Sequence, residues 1–318
     1  MRTPLSELLG IEHPVIQASF GPWSSVALTA AVSEAGGIGS VGTALMSPEQ
    51  VVDQIRRTRE LTDKPFIVNH TRRPLSEEAF ALTLSEGPRA VSLALGEPGD
   101  LAQRSHDAGC LFINQVHSVD QAVAAVEQGA DAIIAQGEEA GGFGGGIGSM
   151  ALIPQVADAV APIPVAAAGG IVDGRGLAAA LLLGAAGVNI GTRFLAAEET
   201  EIPGEWKQRI VEARSEDTVR ILFAEQVFPP VGPGGYEGKT PRVLRTDWID
   251  RYDADPEAAA AEREQLSAEL VKAVKEGRGH ELVPFTGQTV GMIDSVESAR
   301  EIVVQMVVQA EELLARYP

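Results

Sequence analysis

The chain has 318 residues but a single cysteine, no long apolar run and far fewer basic than acidic residues. Each shortage excludes a class of protein. The single cysteine, Cys110, excludes an intrachain disulfide and a metal site built from several cysteines, and we interpret it as a buried structural residue. No apolar run approaches the roughly 18 residues of a transmembrane helix, and the first residues lack the apolar core of a signal peptide.

The charge balance excludes further partners. The chain carries 44 acidic and 25 basic residues, for a formal net charge of −19. A strongly negative surface repels phosphate backbones and anionic lipids, so we expect neither a nucleic-acid nor a membrane partner. Together with a hydrophobic content of 45%, this composition predicts a soluble cytoplasmic enzyme that acts on a small molecule.

Several catalytic motifs are also missing. The chain has no G-x-x-x-x-G-K-[ST] loop, which argues against a nucleotide triphosphatase. It has no histidine and carboxylate spacing typical of a metal site, so we expect no metal. Glu138 and Glu139 are adjacent and would face different ways, so we interpret them as solvated or capping residues rather than as a catalytic pair.

What the sequence does contain is an alternation of eight short apolar runs with helical patterns. The runs lie at residues 14–18, 38–41, 65–69, 90–95, 110–116, 132–135, 165–171 and 187–193, and the last helix of the series is predicted at residues 205–213. Runs that are apolar at successive positions fit a parallel sheet covered on both faces. An open doubly wound sheet would also alternate, but eight repeats favour an α/β fold of the (β/α)8 TIM-barrel type with a small additional C-terminal or lid segment.

The alternation of apolar runs and helical patterns ends after the eighth repeat. We predict a barrel over residues 1–220, a lid or inserted segment with a charged helix over residues 221–292, and a C-terminal helix that packs on the barrel over residues 293–318. Prolines and glycines at residues 228–235 exclude a regular helix there. The amphipathic terminal helix permits a homodimer.

Glycines end the seventh and eighth runs. Gly169 and Gly170 follow one run, and Gly191 and Thr192 follow the other. In a TIM barrel the loops after these two strands commonly bind phosphate, because backbone N–H groups can approach an anion closely there. We therefore predict a phosphate site between the two turns.

Uncharged amides follow three other strands, at Asn69, Gln115 and Gln136. Such groups donate and accept hydrogen bonds without carrying charge. This suits a neutral heteroaromatic ring such as isoalloxazine and does not suit hydrolysis by a carboxylate pair. The glycine cluster at residues 141–148 could be a flexible loop, but the cost of ordering it favours a backbone that passes close to a bound ring.

Together these motifs resemble the nitronate monooxygenase family, formerly called 2-nitropropane dioxygenases, and the related FMN-dependent enoyl-acyl-carrier-protein reductases. The matching sequences are PVIQ at 14–17, VN at 68–69, AQGEEAGG at 135–142, AAGGI at 167–171, DGRGL at 173–177 and GTRF at 191–194. The resemblance implies that the barrel binds FMN. Carried over by position, the residues that contact FMN are Asn69, Gln136, Gly141, Gly170, Asn189, Ile190, Gly191 and Thr192.

Two positions depart from the family pattern. The family has a histidine, its expected catalytic base, directly after Ala-Gly-Gly, and this chain has Phe143 there. Gln115 stands where some monooxygenases have lysine. We expect Phe20, Gln115 and Phe143 to line the substrate pocket. His70, which follows the third strand close to two arginines, is the candidate to replace the base.

The absence of the family's histidine determines which of the activities implied by the resemblance we expect. A neutral nitroalkane must lose a proton before a flavin can oxidise it, whereas a nitronate is already an anion. We therefore predict an FMN-dependent oxidoreductase that oxidises nitronates with O2. Two alternatives stay open: an FMN-dependent NAD(P)H reductase or dehydrogenase acting on an enoyl thioester or quinone, and a flavin-binding protein with little catalysis.

Overall fold

The computed structural model describes residues 1–72, 75–228 and 239–316. Most of the proline- and glycine-rich stretch of the predicted lid, residues 229–235, lies outside the described residues. So does Tyr317, at the end of the predicted terminal helix.

Eight parallel strands form a barrel. They are β1 (Val15–Gln17), β2 (Gly39–Gly42), β3 (Phe66–Thr71), β4 (Ala90–Ala94), β5 (Leu111–Val116), β6 (Ala132–Gln136), β8 (Val165–Ala168) and β9 (Gly187–Ile190), whereas β7 (Gly142–Gly144) lies in the loop after β6 and outside the barrel. Barrel strands that are consecutive in the chain pair with one another, β9 pairs with β1, and a parallel bridge between Ile16 and Ile38 closes the ring. The prediction of a (β/α)8 barrel is confirmed.

Helices cover the barrel and build the additional segment. They are α1 (Pro4–Leu9), α2 (Val26–Glu34), α3 (Pro48–Leu61), α4 (Glu77–Glu86), α5 (Leu101–Asp107), α6 (Val119–Glu127), α7 (Ser149–Val160), α8 (Gly174–Leu182), α9 (Thr192–Leu195), α10 (Gly204–Glu212), α11 (Ala224–Val227), α12 (Asp247–Asp253), α13 (Pro256–Ala261), α14 (Arg263–Lys275), α15 (Gly279–Leu282) and α16 (Ala299–Arg316). In the described part of the chain, none of them combines the length and apolarity needed to cross a lipid bilayer.

The eighth helix of the barrel comes from the end of the chain. Helix α16 packs on both α8 and α2, with Ile302, Met306 and Val307 buried in the same cluster as Leu177. The prediction that residues 205–213 take this place was wrong. Helix α10 forms there, but its buried Trp206 lies in a separate cluster that joins the end of the barrel to Leu244 and Val290 of the additional segment.

Helix starts follow the local capping signals. Ser47 caps α3: its Oγ accepts the N–H of Gln50 at 3.3 Å, while Gln50 Oε1 accepts the N–H of Ser47 at 2.8 Å, and Pro48 takes the first helical position. Asp173 caps α8 by accepting the N–H of Arg175 at 2.9 Å. These caps fix where the helices begin relative to the strands.

Alternate residues of each strand face the barrel interior, which is apolar toward the amino ends of the strands. One buried cluster fills it and includes Ile16, Ile38, Ile67, Ala90, Ile113, Ala132, Ile134 and Ala166 together with Leu5 and Leu9 of α1. The residues between them face outward and pack under the helices. The barrel is a filled core, so a ligand meets it at the carboxyl ends of the strands.

The additional segment has its own sheet and core. Strands β10 (Thr218–Arg220), β11 (Thr240–Leu244) and β7 form an antiparallel sheet in which β11 is central. Ile221, Val243, Tyr252 and Leu270 belong to a buried cluster of this segment. Because β7 lies within the glycine-rich loop, that loop joins the segment to the mouth of the barrel.

Candidate active site

The carboxyl ends of the barrel strands carry a layer of uncharged polar side chains. The layer consists of Ser40, Asn69, Ser92, Gln115, Gln136 and Asn189. The first five each lie two residues beyond an apolar interior residue, and Asn189 pairs with Ile16 of β1. Asn69 donates from Nδ2 to Ser92 Oγ at 2.8 Å, which fixes the orientation of its amide.

Gln136 connects two strands to the glycine-rich loop. Its Oε1 accepts a hydrogen bond from Gln115 Nε2, and its own Nε2 lies 3.4 Å from the carbonyl oxygens of both Gly141 and Phe143. The amides of Gln115 and Gln136 therefore hold each other and the loop in one arrangement.

The glycine-rich loop packs backbone to backbone against a second loop. A Cβ at Gly141 would lie 2.7 Å from the amide nitrogen of Gly287, and a Cβ at Gly287 would lie 2.9 Å from the carbonyl oxygen of Glu139. Gly287 also donates its N–H to Thr192 Oγ1 at 2.9 Å. Sequence reasoning did not assign Gly287 to the site, because no local pattern identifies a contact partner so distant in the chain.

The turns after β8 and β9 fit an anion. Gly169 and Gly170 have φ angles of 91° and 74°, which side chains disfavour. Helix α9 begins at Thr192, directly after Gly191, so its first N–H groups have no acceptor within the helix. A Cβ at Gly170 or at Gly191 would meet no atom closer than 3.8 Å. Both turns therefore leave space for a ligand beside backbone N–H groups.

Asn189 and Ile190 lie on opposite faces of β9. Asn189 belongs to the polar layer, whereas Ile190 is buried with Phe194 between the strands and the helices. Only the backbone of Ile190 is therefore available to a ligand in the mouth.

Phe143 belongs to an aromatic cluster at the mouth. Its ring centroid lies 5.0 Å from that of Phe228, in an edge-to-face arrangement, and 5.8 Å from that of Phe285. Phe143 is held in place because β7 pairs with β11, opposite Pro241. Phe20, the other predicted pocket aromatic, is half-buried in the loop that follows β1.

His70 lies on the outer face of β3, contrary to the prediction that it faces the mouth. Its neighbour Asn69 faces inward, and adjacent strand residues face opposite ways. His70 Nε2 lies 3.0 Å from Thr83 Oγ1 and Nδ1 lies 3.3 Å from Thr43 Oγ1, while the ring packs edge-on against Phe80. Burial lowers the pKa of His70 to about 4. This geometry fits a structural histidine and not a catalytic base.

His117 is buried as well. Its Nδ1 lies 3.4 Å from the carbonyl oxygen of Gln136. Burial, with a smaller effect from the charge of Lys239, lowers the pKa of His117 to about 4. Its Nε2 has no hydrogen-bond partner within the residues that the structure describes.

The adjacent carboxylates have separate structural roles. Glu139 accepts the backbone N–H of Ser149 at 3.1 Å and 3.0 Å and its hydroxyl at 2.8 Å, so it caps α7. Glu138 forms an ion pair with Arg220 at 3.0 Å. The capping interpretation is confirmed for Glu139, and the two residues do not form a catalytic pair.

A cleft of about 310 Å³ lies beside the polar layer. Its lining combines two cations with glycines and amides: Arg72, Gly96, Glu97, Gly99, Asn114, Gln115, Gln121 and Lys239. Gln115 belongs to both the cleft and the polar layer. Sequence reasoning missed this cleft because its residues come from several loops that only the barrel brings together.

Comparisons with known proteins agree with this architecture. Residues 2–79 and 75–309 match the family model described as nitronate monooxygenase. The chain is 38% identical over 262 residues to the (3aS,4S,5R,7aS)-5-hydroxy-7a-methyl-1-oxo-octahydro-1H-indene-4-carboxyl-CoA dehydrogenase of Mycobacterium tuberculosis, covering 81% of this chain and 70% of the relative. It is 28% identical to a probable nitronate monooxygenase of Staphylococcus saprophyticus, with 99% of each chain covered.

A solved structure has the same fold over its whole length. FabK from Thermotoga maritima superposes with a TM-score of 0.88 at 34% sequence identity, covering 99% of this chain and 98% of FabK. The family match extends over nearly the whole chain, which confirms the resemblance in the sequence motifs. The chain therefore belongs to the nitronate monooxygenase family and is an oxidoreductase.

Proposed function

We propose that the protein is an FMN-dependent oxidoreductase that oxidises alkyl nitronates with O2 and acts poorly on neutral nitroalkanes. The observation that carries the proposal is the aromatic cluster at the family's base position, where Phe143 packs against Phe228 and Phe285. An aromatic hydrocarbon cannot accept a proton, so a substrate that arrives already deprotonated is favoured.

FMN fits both the turns after β8 and β9 and the polar layer at the mouth of the barrel. The open turns at Gly170, Gly191 and Thr192 suit its phosphate, because N–H groups and space occur together there. The amides of the polar layer, with the backbones of Gly141 and Ile190, suit its ring and ribityl chain, which carry hydrogen-bonding groups but no charge. When bound, FMN supplies electron transfer between the substrate and O2.

The side chains around the proposed FMN site have separate roles. Gln115 and Gln136 donate and accept hydrogen bonds next to the reacting group without exchanging protons with it. The aromatic cluster excludes water from one side of the mouth. His70 and His117 are buried and neutral near pH 7, because burial lowers the pKa of each to about 4.

The reaction balances with O2 as the oxidant. Two nitronate anions and one O2 give two carbonyl molecules and two nitrite anions. In each nitronate the C–N bond breaks and a C=O bond forms, which is a two-electron oxidation. The two oxidations together match the four-electron reduction of O2, and no proton is removed from carbon.

Steady-state oxygen consumption tests the proposal with the full chain loaded with FMN. We expect turnover with ethyl nitronate, nitrite as a product, and at least a hundredfold lower kcat/KM with nitroethane, the range over which a general base contributes. Comparable rates with both substrates would show that a base operates in the site.

A second function is favoured by the relatives. One of them is named as a dehydrogenase of a carboxyl-CoA compound, and FabK has the same fold over its full length. The corresponding activity here is an FMN-dependent NAD(P)H reductase or dehydrogenase acting on an acyl thioester. Anaerobic reduction of the flavin by NADH, together with no reduction by nitronates, would favour this function over the first.

A further inference from the structure

We infer that Arg220 and Arg242 of the additional segment are positioning residues of the proposed flavin site, because they hold both ends of one stretch of the glycine-rich loop. That stretch, residues 138–144, includes Gly141 and Phe143. The arginines act on the reaction through the loop and not through contact with the substrate. The inference rests on the proposed function, since it assigns residues that support the same site.

The two arginines leave one face of the additional sheet. Arg220 of β10 lies directly opposite Arg242 of β11, and opposite residues of an antiparallel pair point to the same face. On β7 the residue opposite Arg242 is Gly142, which adds no side chain. Phe143 and Pro241 are the next pair along, so they point to the other face, where the aromatic cluster lies. The sheet therefore carries the arginines on one face and Phe143 on the other.

Arg220 holds the far end of the stretch. Its Nη2 donates to the carbonyl oxygen of Gly144 at 3.3 Å and to Thr240 Oγ1 at 2.8 Å. Its Nη1 donates to Glu138 Oε1 at 3.0 Å. One guanidinium thus joins the residue that opens the loop to the glycine that ends β7. The planar fork of an arginine allows this geometry, and a single ammonium group reproduces it poorly.

Arg242 holds the near end and is only 7% exposed. Its Nε donates to the carbonyl oxygen of Glu138 at 3.2 Å, and its Nη1 donates to Thr218 Oγ1 at 3.3 Å. Within the described ranges, no carboxylate lies at ion-pair distance from it. Burial, and then the charge of Arg220, lowers the pKa of Arg242, whereas Glu138 and Glu139 oppose this. A buried cation without an ion pair is costly, so Arg242 depends on its hydrogen bonds to the loop and the sheet.

The loop needs such contacts because glycine loses much conformational entropy when it is ordered. The stretch contains Gly141, Gly142 and Gly144, and Gly142 has a φ of 77°. From the barrel side, Gln136 Nε2 lies 3.4 Å from the carbonyl oxygens of Gly141 and Phe143. Charge-assisted hydrogen bonds are stronger than bonds between neutral amides. The arginines therefore set the position of the loop backbone, and with it the position of the Phe143 ring.

A displaced loop should lower turnover more than cofactor retention. A misplacement of about 1 Å between reacting groups can lower a rate about a hundredfold. The turns proposed for the FMN phosphate, at residues 169–170 and 191–192, lie after β8 and β9. The arginines instead bind Glu138, Gly144 and two threonines of the additional sheet.

Substitution of each arginine tests the inference on the full chain, with and without FMN. Arg220→Met and Arg242→Met remove the bonds to the loop and keep an unbranched side chain. Arg245→Met is the matched control, because Arg245 is an exposed residue of the same segment and pairs with Asp250. Thr240→Val removes one hydrogen bond of Arg220 but keeps its charge, and valine suits a strand. This milder variant supplies the result if an arginine variant does not fold.

Hydrogen–deuterium exchange measures how firmly the loop is held. In the flavin-free protein, we expect residues 138–146 to exchange about tenfold to hundredfold faster in Arg220→Met and Arg242→Met, as for the loss of a charge-assisted hydrogen bond. Thr240→Val should show a smaller increase. Helix α16 in every variant, and all of Arg245→Met, should stay within about twofold of the unsubstituted chain. Unchanged exchange in the loop, or a uniform increase that includes α16, would overturn the inference.

Turnover distinguishes a positioning role from a purely structural one. In the FMN-loaded protein, kcat for ethyl nitronate should fall about tenfold to hundredfold in Arg220→Met and Arg242→Met, with KM and FMN content within about threefold. Arg220→Lys keeps the charge but not the fork, so it should recover only part of the loss. Full recovery by lysine, or an unchanged kcat despite faster exchange in the loop, would refute the positioning role.

A spectroscopic measurement separates this inference from the proposed function. If the unsubstituted chain does not oxidise nitronates, the proposed function is wrong, and the visible circular dichroism of bound FMN replaces kcat. Changed bands in Arg220→Met and Arg242→Met, but not in Arg245→Met, would support the positioning role. Identical bands in all of these proteins would refute it, and absence of FMN binding would refute both proposals.

Discussion

The two sides of the barrel mouth differ in how closely they follow the family pattern. On the side of β8 and β9, the glycine turns at Gly170 and Gly191 keep the family sequence and leave open space beside N–H groups. On the side of the glycine-rich loop, Phe143 and its aromatic neighbours stand where a histidine is expected. The residues proposed to hold the cofactor therefore keep the family motif, whereas the residues proposed to meet the substrate depart from it.

The largest expected effect is on the cofactor side. Gly170→Val should abolish FMN retention, because a β-branched side chain is strained at a φ of 74° and projects into the space proposed for the phosphate. Flavin content after gel filtration measures this. Gly87→Val is the matched control, since Gly87 has a φ of 60° and no atom within 4 Å of its Cβ position, at the end of α4. Equal flavin loss in both variants would attribute the effect to backbone strain alone.

The second-largest expected effect is on catalysis and concerns Phe143 in the glycine-rich loop. Phe143→His should raise kcat/KM for nitroethane about a hundredfold by restoring a general base. Because Phe228 and Phe285 surround the position, desolvation should lower the pKa of the new histidine. The gain should therefore be full at neutral pH and decline as the solution becomes acidic. Phe143→Leu, which keeps the site apolar, should show no gain, and a similar gain in both variants would contradict a base role.

His70 should affect stability and not catalysis. Its pKa is about 4 in the folded chain and about 6.5 in the unfolded chain, so the unfolded chain binds more protons between these values. The stabilisation is full above pH 6.5 and is lost as the pH falls toward 4. At pH 5 the loss amounts to roughly 2 kcal/mol. Urea unfolding at pH 7 and pH 5 should show a smaller difference for His70→Gln, with nitronate turnover at pH 7 nearly unchanged. A collapse of turnover in a folded, flavin-loaded variant would restore His70 as a catalytic candidate.

The smallest expected effects are on stability and distinguish the roles of the adjacent residues Glu138 and Glu139. Glu139→Gln should destabilise the chain by about 1 kcal/mol, because a charged cap of α7 becomes neutral. Glu138→Gln weakens a partly exposed ion pair with Arg220, so its effect should be smaller. Thermal unfolding of the two variants measures the difference, and the reverse order would contradict the capping role.

Much of the fold could be predicted from local patterns. The eight apolar runs became the eight barrel strands, since each run had the composition of a buried parallel strand and was followed by a helical pattern. The eighth helix could not be placed, because α10 and α16 both have apolar faces and only tertiary packing selects between them. The pairing of β7 with β11 likewise depends on contacts that no local pattern encodes.

The residue types at the strand ends could be predicted from the sequence. The direction in which each side chain faces was harder to predict. Asn69 and Gln136 were identified, and they do face the interior. His70 was misplaced because a shift of one residue along a strand reverses the face, and Asn69 and His70 cannot both point inward. Gly287 was missed because its contact partners, Gly141 and Glu139, lie in a loop that only the closed barrel brings near.

Anaerobic reduction of the purified, FMN-loaded protein tests the central claim most directly. Propionate 3-nitronate should bleach the flavin absorbance, whereas 3-nitropropionate, its protonated form, should leave the spectrum nearly unchanged over the same period. Failure of the protein to take up FMN, or bleaching by both forms at similar rates, would contradict a flavin site that has kept its cofactor but lost its base.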